Sequence, residues 1–240
     1  EIFYEKFTIF GWDTLERRIA ISKLNEFFIN HLELLTNLLE IYLSYRDYID
    51  FEINQISPVE TALDAITDIS ECYVISFNYT HTPNKLYNIS LEKTHFIHGE
   101  IDLSRQKSEF NTMVFGIEDK EIDINSSLIP YQKYYQRTIK ETGNDFEIFF
   151  KSSNIKNIIV FGHSVNPLDK EIFRKCFELA EYDRVPYQFI FVYHNEQSKR
   201  SIVKNLAIIL GKNKIIELTG KNKIKFVKSD NLDKMIKNLY

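Results

Sequence analysis

Ile158-Ile159-Val160-Phe161 runs without a polar break into Gly162-His163-Ser164-Val165-Asn166-Pro167-Leu168-Asp169. Four consecutive apolar residues suit a strand buried on both faces of a parallel sheet, because such strands need no polar alternation. The residues that follow form a good helix start, with an Asn cap, Pro at the first helical position and Asp in the first turn. Phe189 to Val192 is a second run of this kind, and Cys72-Tyr73-Val74-Ile75-Ser76-Phe77 a third, ending at Asn78. Thr94-His95-Phe96-Ile97 is a fourth, ending at His98-Gly99.

Working outward, the pattern predicts strands at 72–78, 93–98, 112–116, 157–162, 187–193, 213–217 and 223–228. Helices are predicted at 130–140, 144–153, 167–181, 196–210 and 230–239. Such alternation implies right-handed crossovers and a doubly wound, mostly parallel sheet of the α/β class. An N-terminal helical segment, residues 1–70, precedes this α/β domain at 71–240, and the two are expected to form one compact unit. In that segment, Leu24, Phe27, Phe28, His31, Leu32, Leu35, Leu38, Leu39 and Tyr42 recur at three- and four-residue spacing. They predict a helix over 13–49 that is either deeply buried or a homo-oligomeric contact, with His31 a core histidine. A second helix, capped by Ser57, is predicted to run from Pro58 to about Ser70.

Hydrophobic residues are 44% of the 240, enough for a sizeable core and incompatible with a disordered chain. No apolar run approaches the length of a membrane span. Cys72 and Cys176 lie in apolar stretches without metal-ligand spacing, so they read as buried thiols of a reducing, cytoplasmic protein that holds no metal. From Lys199 onward there are 11 basic and 3 acidic side chains. The lysines alternate with apolar residues in Lys221 to Lys228, the pattern of a half-exposed strand, which argues against nucleic-acid binding.

Polar groups gathered where strands end are candidates for one ligand crevice. Asn78 offers an amide donor and acceptor, and also fits a simple turn. His98 has a side chain suited to base catalysis near neutrality, with Gly99 allowing close backbone approach and Glu100 and Asp102 nearby. Gly162-His163-Ser164 leads into a helix N-terminus, a natural place for an anion or a ribose hydroxyl. His95, three residues from His98 on a strand, faces the other way and makes no metal pair with it. His81, His163 and His194 are further crevice candidates. The chain has no GxGxxG, P-loop, HExxH or GxSxG motif.

Phe77-Asn78-Tyr79-Thr80, then Ile97-His98-Gly99, then Val160 to Ser164 with Asp169 downstream, resemble in order and spacing the AbiH family of bacterial abortive-infection proteins. Phe10 to Glu16 is similar to the Trp-x-x-x-Glu helix start of that family. The resemblance spans roughly residues 12–175 and extends to sirtuin-like NAD-consuming domains of antiphage defence. It implies an effector that cleaves NAD, with Asn78 holding the nicotinamide ribose or the attacking water and His98 as catalytic base. Gly162, Ser164 and Asp169 would bind the dinucleotide, the last two near its adenosine half. The partners implied are NAD and a second copy or another defence protein. An interaction module without catalysis is the alternative. The Gly-Asn-Gly-Phe-Asp turn that opens the family does not precede the Trp helix here, and it is expected upstream in a longer chain.

Overall fold

The structure, a computed structural model, describes residues 14–102, 104, 111–117, 126–143, 145–151, 157–182 and 185–240, with side chains from residue 19. Its first element, α1 (Thr14–Tyr48), ends in a π-helical turn at Ile49–Ile53. Two parallel sheets follow. The smaller pairs β1 (Val74–Ser76) with β2 (Thr94–Phe96), joined through the short helix α2 (Thr82–Tyr87). The larger has the order β3 (Asn157–Val160), β4 (Gln188–Tyr193), β5 (Ile224–Lys228). The remaining helices are α3 (Lys133–Ile139), α4 (Glu147–Phe150), α5 (Lys170–Tyr182), α6 (Glu196–Leu210), α7 (Lys212–Gly220) and α8 (Leu232–Leu239).

β4 shows why an unbroken apolar run is needed. Successive strand side chains point to opposite faces. Phe189, Phe191 and Tyr193 enter a core with Phe173, Phe177, Ile202, Leu206 and Leu218 from α5, α6 and α7. Ile190 and Val192 enter a second core with Val227, Met235, Ala62 and Ala65. The three-stranded sheet is thus covered on both faces, as the sequence predicts for parallel strands. Ile75 and Phe77 pack against the first core, and the Phe77 ring stacks on Phe173 at 5.5 Å. That contact fixes the end of β1 beside the start of α5.

Several expectations are corrected. Residues 58–70 form two short 3-10 turns, Ala62–Ala65 and Ile69–Glu71, and the cap is Thr61 rather than Ser57. Ala62 donates its N–H to Ser229 O at 2.7 Å, and both alanines are buried, so a tertiary contact overrides the helical pattern. Residues 213–217 lie inside α7, not in a strand: β5 already occupies the place beside β4, and Leu218 is buried from a helix instead. Residues 112–116 are not a strand; only Ile117 bridges, to Gln132. Cys176 is buried, which pushes its thiol up to about 12, whereas Cys72 is only half-buried.

The largest departure concerns α1. Its buried residues are polar: Thr36, Glu40, Ser44 and Asp47. Glu40 accepts hydrogen bonds from Asn111 Nδ2 at 2.8 Å and Asp102 N at 3.0 Å. Lys140 pairs with Glu33 at 3.0 Å, and Lys85 with Asp47 at 2.5 Å. Phe27, Leu34, Leu35, Leu38, Ile41 and Tyr42 are exposed instead, as is His31, which is therefore no core histidine. Among the described residues no helix is long and apolar enough to cross a membrane.

Candidate functional site

His98 stands two residues beyond β2, in a turn that only glycine can complete at position 99. Gly99 has φ +77°, and a Cβ there would lie 2.0 Å from the backbone oxygen of Thr112. Val114 N–H donates to His98 O at 2.7 Å, clamping the turn from the other side. Asp169 closes the 3-10 turn Pro167–Asp169, capped by Asn166 as the sequence predicts, immediately before α5. Because β1 and α5 are locked together through Phe77 and Phe173, these two polar groups meet in the interior.

His98 Nε2 lies 3.0 Å from Asp169 Oδ1, and the two side chains are 7% and 8% exposed. Lys133 Nζ reaches the same oxygen at 2.6 Å, and His163 Nε2 is 3.5 Å from Oδ2. Val165 N–H donates to His163 Nδ1 at 2.9 Å. That bond leaves the His163 proton on Nε2, facing the carboxylate. Val165 is buried with φ +55°, a costly conformation for a β-branched residue and one that surrounding structure must enforce. The Phe77 ring lies against His98 at 5.8 Å and His163 at 4.3 Å.

Burial would raise the Asp169 carboxyl, but hydrogen bonds from His163, His98 and Lys133 outweigh it and hold the group well below the usual carboxylate range. For His98 burial is the cause that wins. Burial lowers its pKa, only partly opposed by the Asp169 hydrogen bond, so it is neutral at pH 7. A neutral imidazole donating from Nε2 to Asp169 carries a lone pair on Nδ1, and that atom is buried with no hydrogen-bond partner among the described residues. The arrangement is an ionised carboxylate, an oriented neutral imidazole and one unused basic nitrogen. It can take up a proton and stabilise the imidazolium formed.

The other predicted site residues make separate contacts. Asn78 is exposed, one residue from Phe77, with its backbone tied to Ser76 Oγ. Ser164 is exposed and its carbonyl accepts from Asn205 at 3.1 Å. Gly162 has φ +67° in open surroundings. Glu100 pairs with His81 rather than His98, and Asp102 N–H goes to Glu40, so the acidic partner of His98 comes from 71 residues downstream. His95 contacts Phe146, away from His98, and His194 is exposed. Sequence reasoning misses Lys133. Its position at the first residue of α3 is the available signal, since a cation at a helix N-terminus is unfavourable without an acid partner. One turn later Arg137 lines a cleft of about 490 Å³ with Tyr134, Glu171, Ile172 and Lys175.

Among the described residues no group of three or more His, Cys, Asp or Glu side chains could hold a metal ion. No curated protein and no solved structure matches the chain. The family model described as "Bacteriophage abortive infection AbiH" matches residues 11–191, a stretch that contains β1, β2, β3 and the whole His98–Asp169 cluster. The chain belongs to the AbiH family of bacteriophage abortive-infection proteins.

Proposed function

We propose that the antiphage role suggested by the family is exercised through hydrolysis of the N-glycosidic bond of NAD, on a doubly wound, sirtuin-like frame. The observation that carries this reading is the buried, neutral His98 with an unpartnered Nδ1 and an ionised Asp169 behind it. Water attacks the ribose carbon as the bond to nicotinamide breaks through an oxocarbenium-like transition state. The bonding pair leaves with the nicotinamide nitrogen, which becomes neutral, and the proton of the attacking water passes to His98 Nδ1 once a local opening admits that water to the buried atom. Asp169 stabilises the resulting imidazolium, and Lys133 keeps Asp169 ionised. Asn78 orients ribose or water, while Gly162 and Ser164 face the rest of the dinucleotide.

The test is NAD consumption by the purified full-length protein. His98→Ala is expected to lower it by about 10²- to 10⁴-fold, the usual cost of losing a positioned base. Asn78→Ala is expected to lower it through lost orientation, without a change in melting temperature. Full turnover by His98→Ala sinks the reading. No turnover by wild type exposed to phage infection favours a second one, an interaction module, which the exposed apolar face of α1 supports.

A further inference from the structure

The outward-facing residues of α1 follow a strict rule. Leu24, Phe27, His31, Leu34, Leu38, Ile41, Tyr45 and Tyr48 are spaced by three and four residues in alternation. This 3.5-residue period marks a seam that stays against a partner helix along its length. Leu34 is 59% exposed, Leu38 64%, Ile41 62%, Tyr45 60% and Tyr48 53%, so the seam faces outward while the polar stripe Thr36, Glu40, Ser44 and Asp47 is turned into the protein. A helix that anchors itself through carboxylates and presents its leucines outward is arranged for a second helix.

We infer that the occupant is α1 of a second copy, packed antiparallel. Three features of the helix carry this. The first is area: the seam offers on the order of 800 Å² of apolar surface per protomer, the size of a standard stable interface. The second is charge. No residue of the seam carries a carboxylate or ammonium, so self-pairing buries no like charges. The third is the asymmetry of the flanks. One flank is apolar, with Phe28, Leu35 and Tyr42, and the other polar, with Lys23, Asn30 and Asn37. Antiparallel helices place like flanks together, which makes the apolar strip continuous, whereas parallel helices would set Leu35 and Tyr42 against Asn30 and Asn37. In the antiparallel register about Thr36, Leu34 meets Leu38 of the second copy, and Phe27 meets Tyr45. The inference does not depend on the NAD reading.

The pairing of 34 with 38 gives a test that fixes direction as well as stoichiometry. Wild type is expected to elute as a dimer by size exclusion with light scattering. Leu34→Lys and Leu38→Glu, each placing two unmatched charges in the interface, are expected to weaken the dimer by at least about 100-fold. Both positions are solvent-exposed within one chain, so melting of the diluted proteins serves as the folding control. Mixing the two variants should restore dimers, because the ammonium introduced at position 34 of one chain then meets the carboxylate introduced at position 38 of the other. A parallel pair sets position 34 against 34 and 38 against 38, so the mixture there only relieves like-charge repulsion, leaves each charge against a leucine, and regains less. A monomeric wild type, dimers that survive the single charges, or a mixture that stays monomeric would each overturn the inference. The first of these would assign the seam to a different occupant.

Discussion

At the scale of single residues, Asp169 carries more than any other side chain. It is buried and binds two imidazoles and an ammonium. Asp169→Ala leaves Lys133 facing no counter-charge in a site where its side chain is 13% exposed, and is expected to destabilise the protein by about 3–5 kcal/mol in denaturant unfolding. Asp169→Asn keeps the volume and some hydrogen bonding, so a smaller loss is expected, together with loss of NAD turnover if the carboxylate supports the imidazolium. Gly99→Ala is the backbone counterpart. A left-handed φ and a Cβ 2.0 Å from Thr112 O make the native turn unattainable, and a loss of at least about 2 kcal/mol is expected from thermal unfolding.

At the scale of elements, α1 is held by its polar face. Glu40 is 4% exposed and accepts from both Asn111 and the Asp102 backbone. Glu40→Ala strands two donors, and a cost of about 2–3 kcal/mol is expected; Glu40→Gln, which retains one acceptor, should cost less. Protease digestion reads this directly, since a loosened α1 exposes its peptide bonds. Leu38→Ala offers the contrast. The side chain is 64% exposed, so unfolding of the isolated chain should change by no more than about 0.5 kcal/mol.

For the whole molecule, the buried cluster makes stability dependent on pH. The folded pKa of His98 is lowered, so on acidification the unfolded chain takes up a proton near pH 6.5 before the folded one does. Stability therefore falls as pH drops below that value. The folded pKa of Asp169 is depressed, so its contribution is present above the unfolded carboxylate range and is lost as pH falls through the folded value. Both effects have the same sign. The melting temperature should be lower at about pH 5 than at about pH 7.5, and His98→Gln, which does not titrate, should narrow the difference. An unchanged difference in that variant would show that other groups set the acid limb.

Local pattern was enough for the parallel core. Apolar runs such as Ile158 to Val160 and Phe189 to Val192 leave no polar side chain for a solvated face, so burial on both sides follows from composition alone. Asn166-Pro167 carries its own cap chemistry, and Gly99 its own backbone freedom, so both turns were legible too. His98 and Asp169 could each be named, but not their contact, because 71 residues separate them and tertiary packing, such as Phe77 on Phe173, closes that distance. Lys133 was hidden for the same reason. The direction of α1 was decided by tertiary structure alone. Periodicity shows that a helix has an apolar and a polar face, and by itself says nothing of which one the rest of the chain will meet. Here Lys85, Asn111 and Lys140 meet the carboxylates, and the leucines are left for another surface.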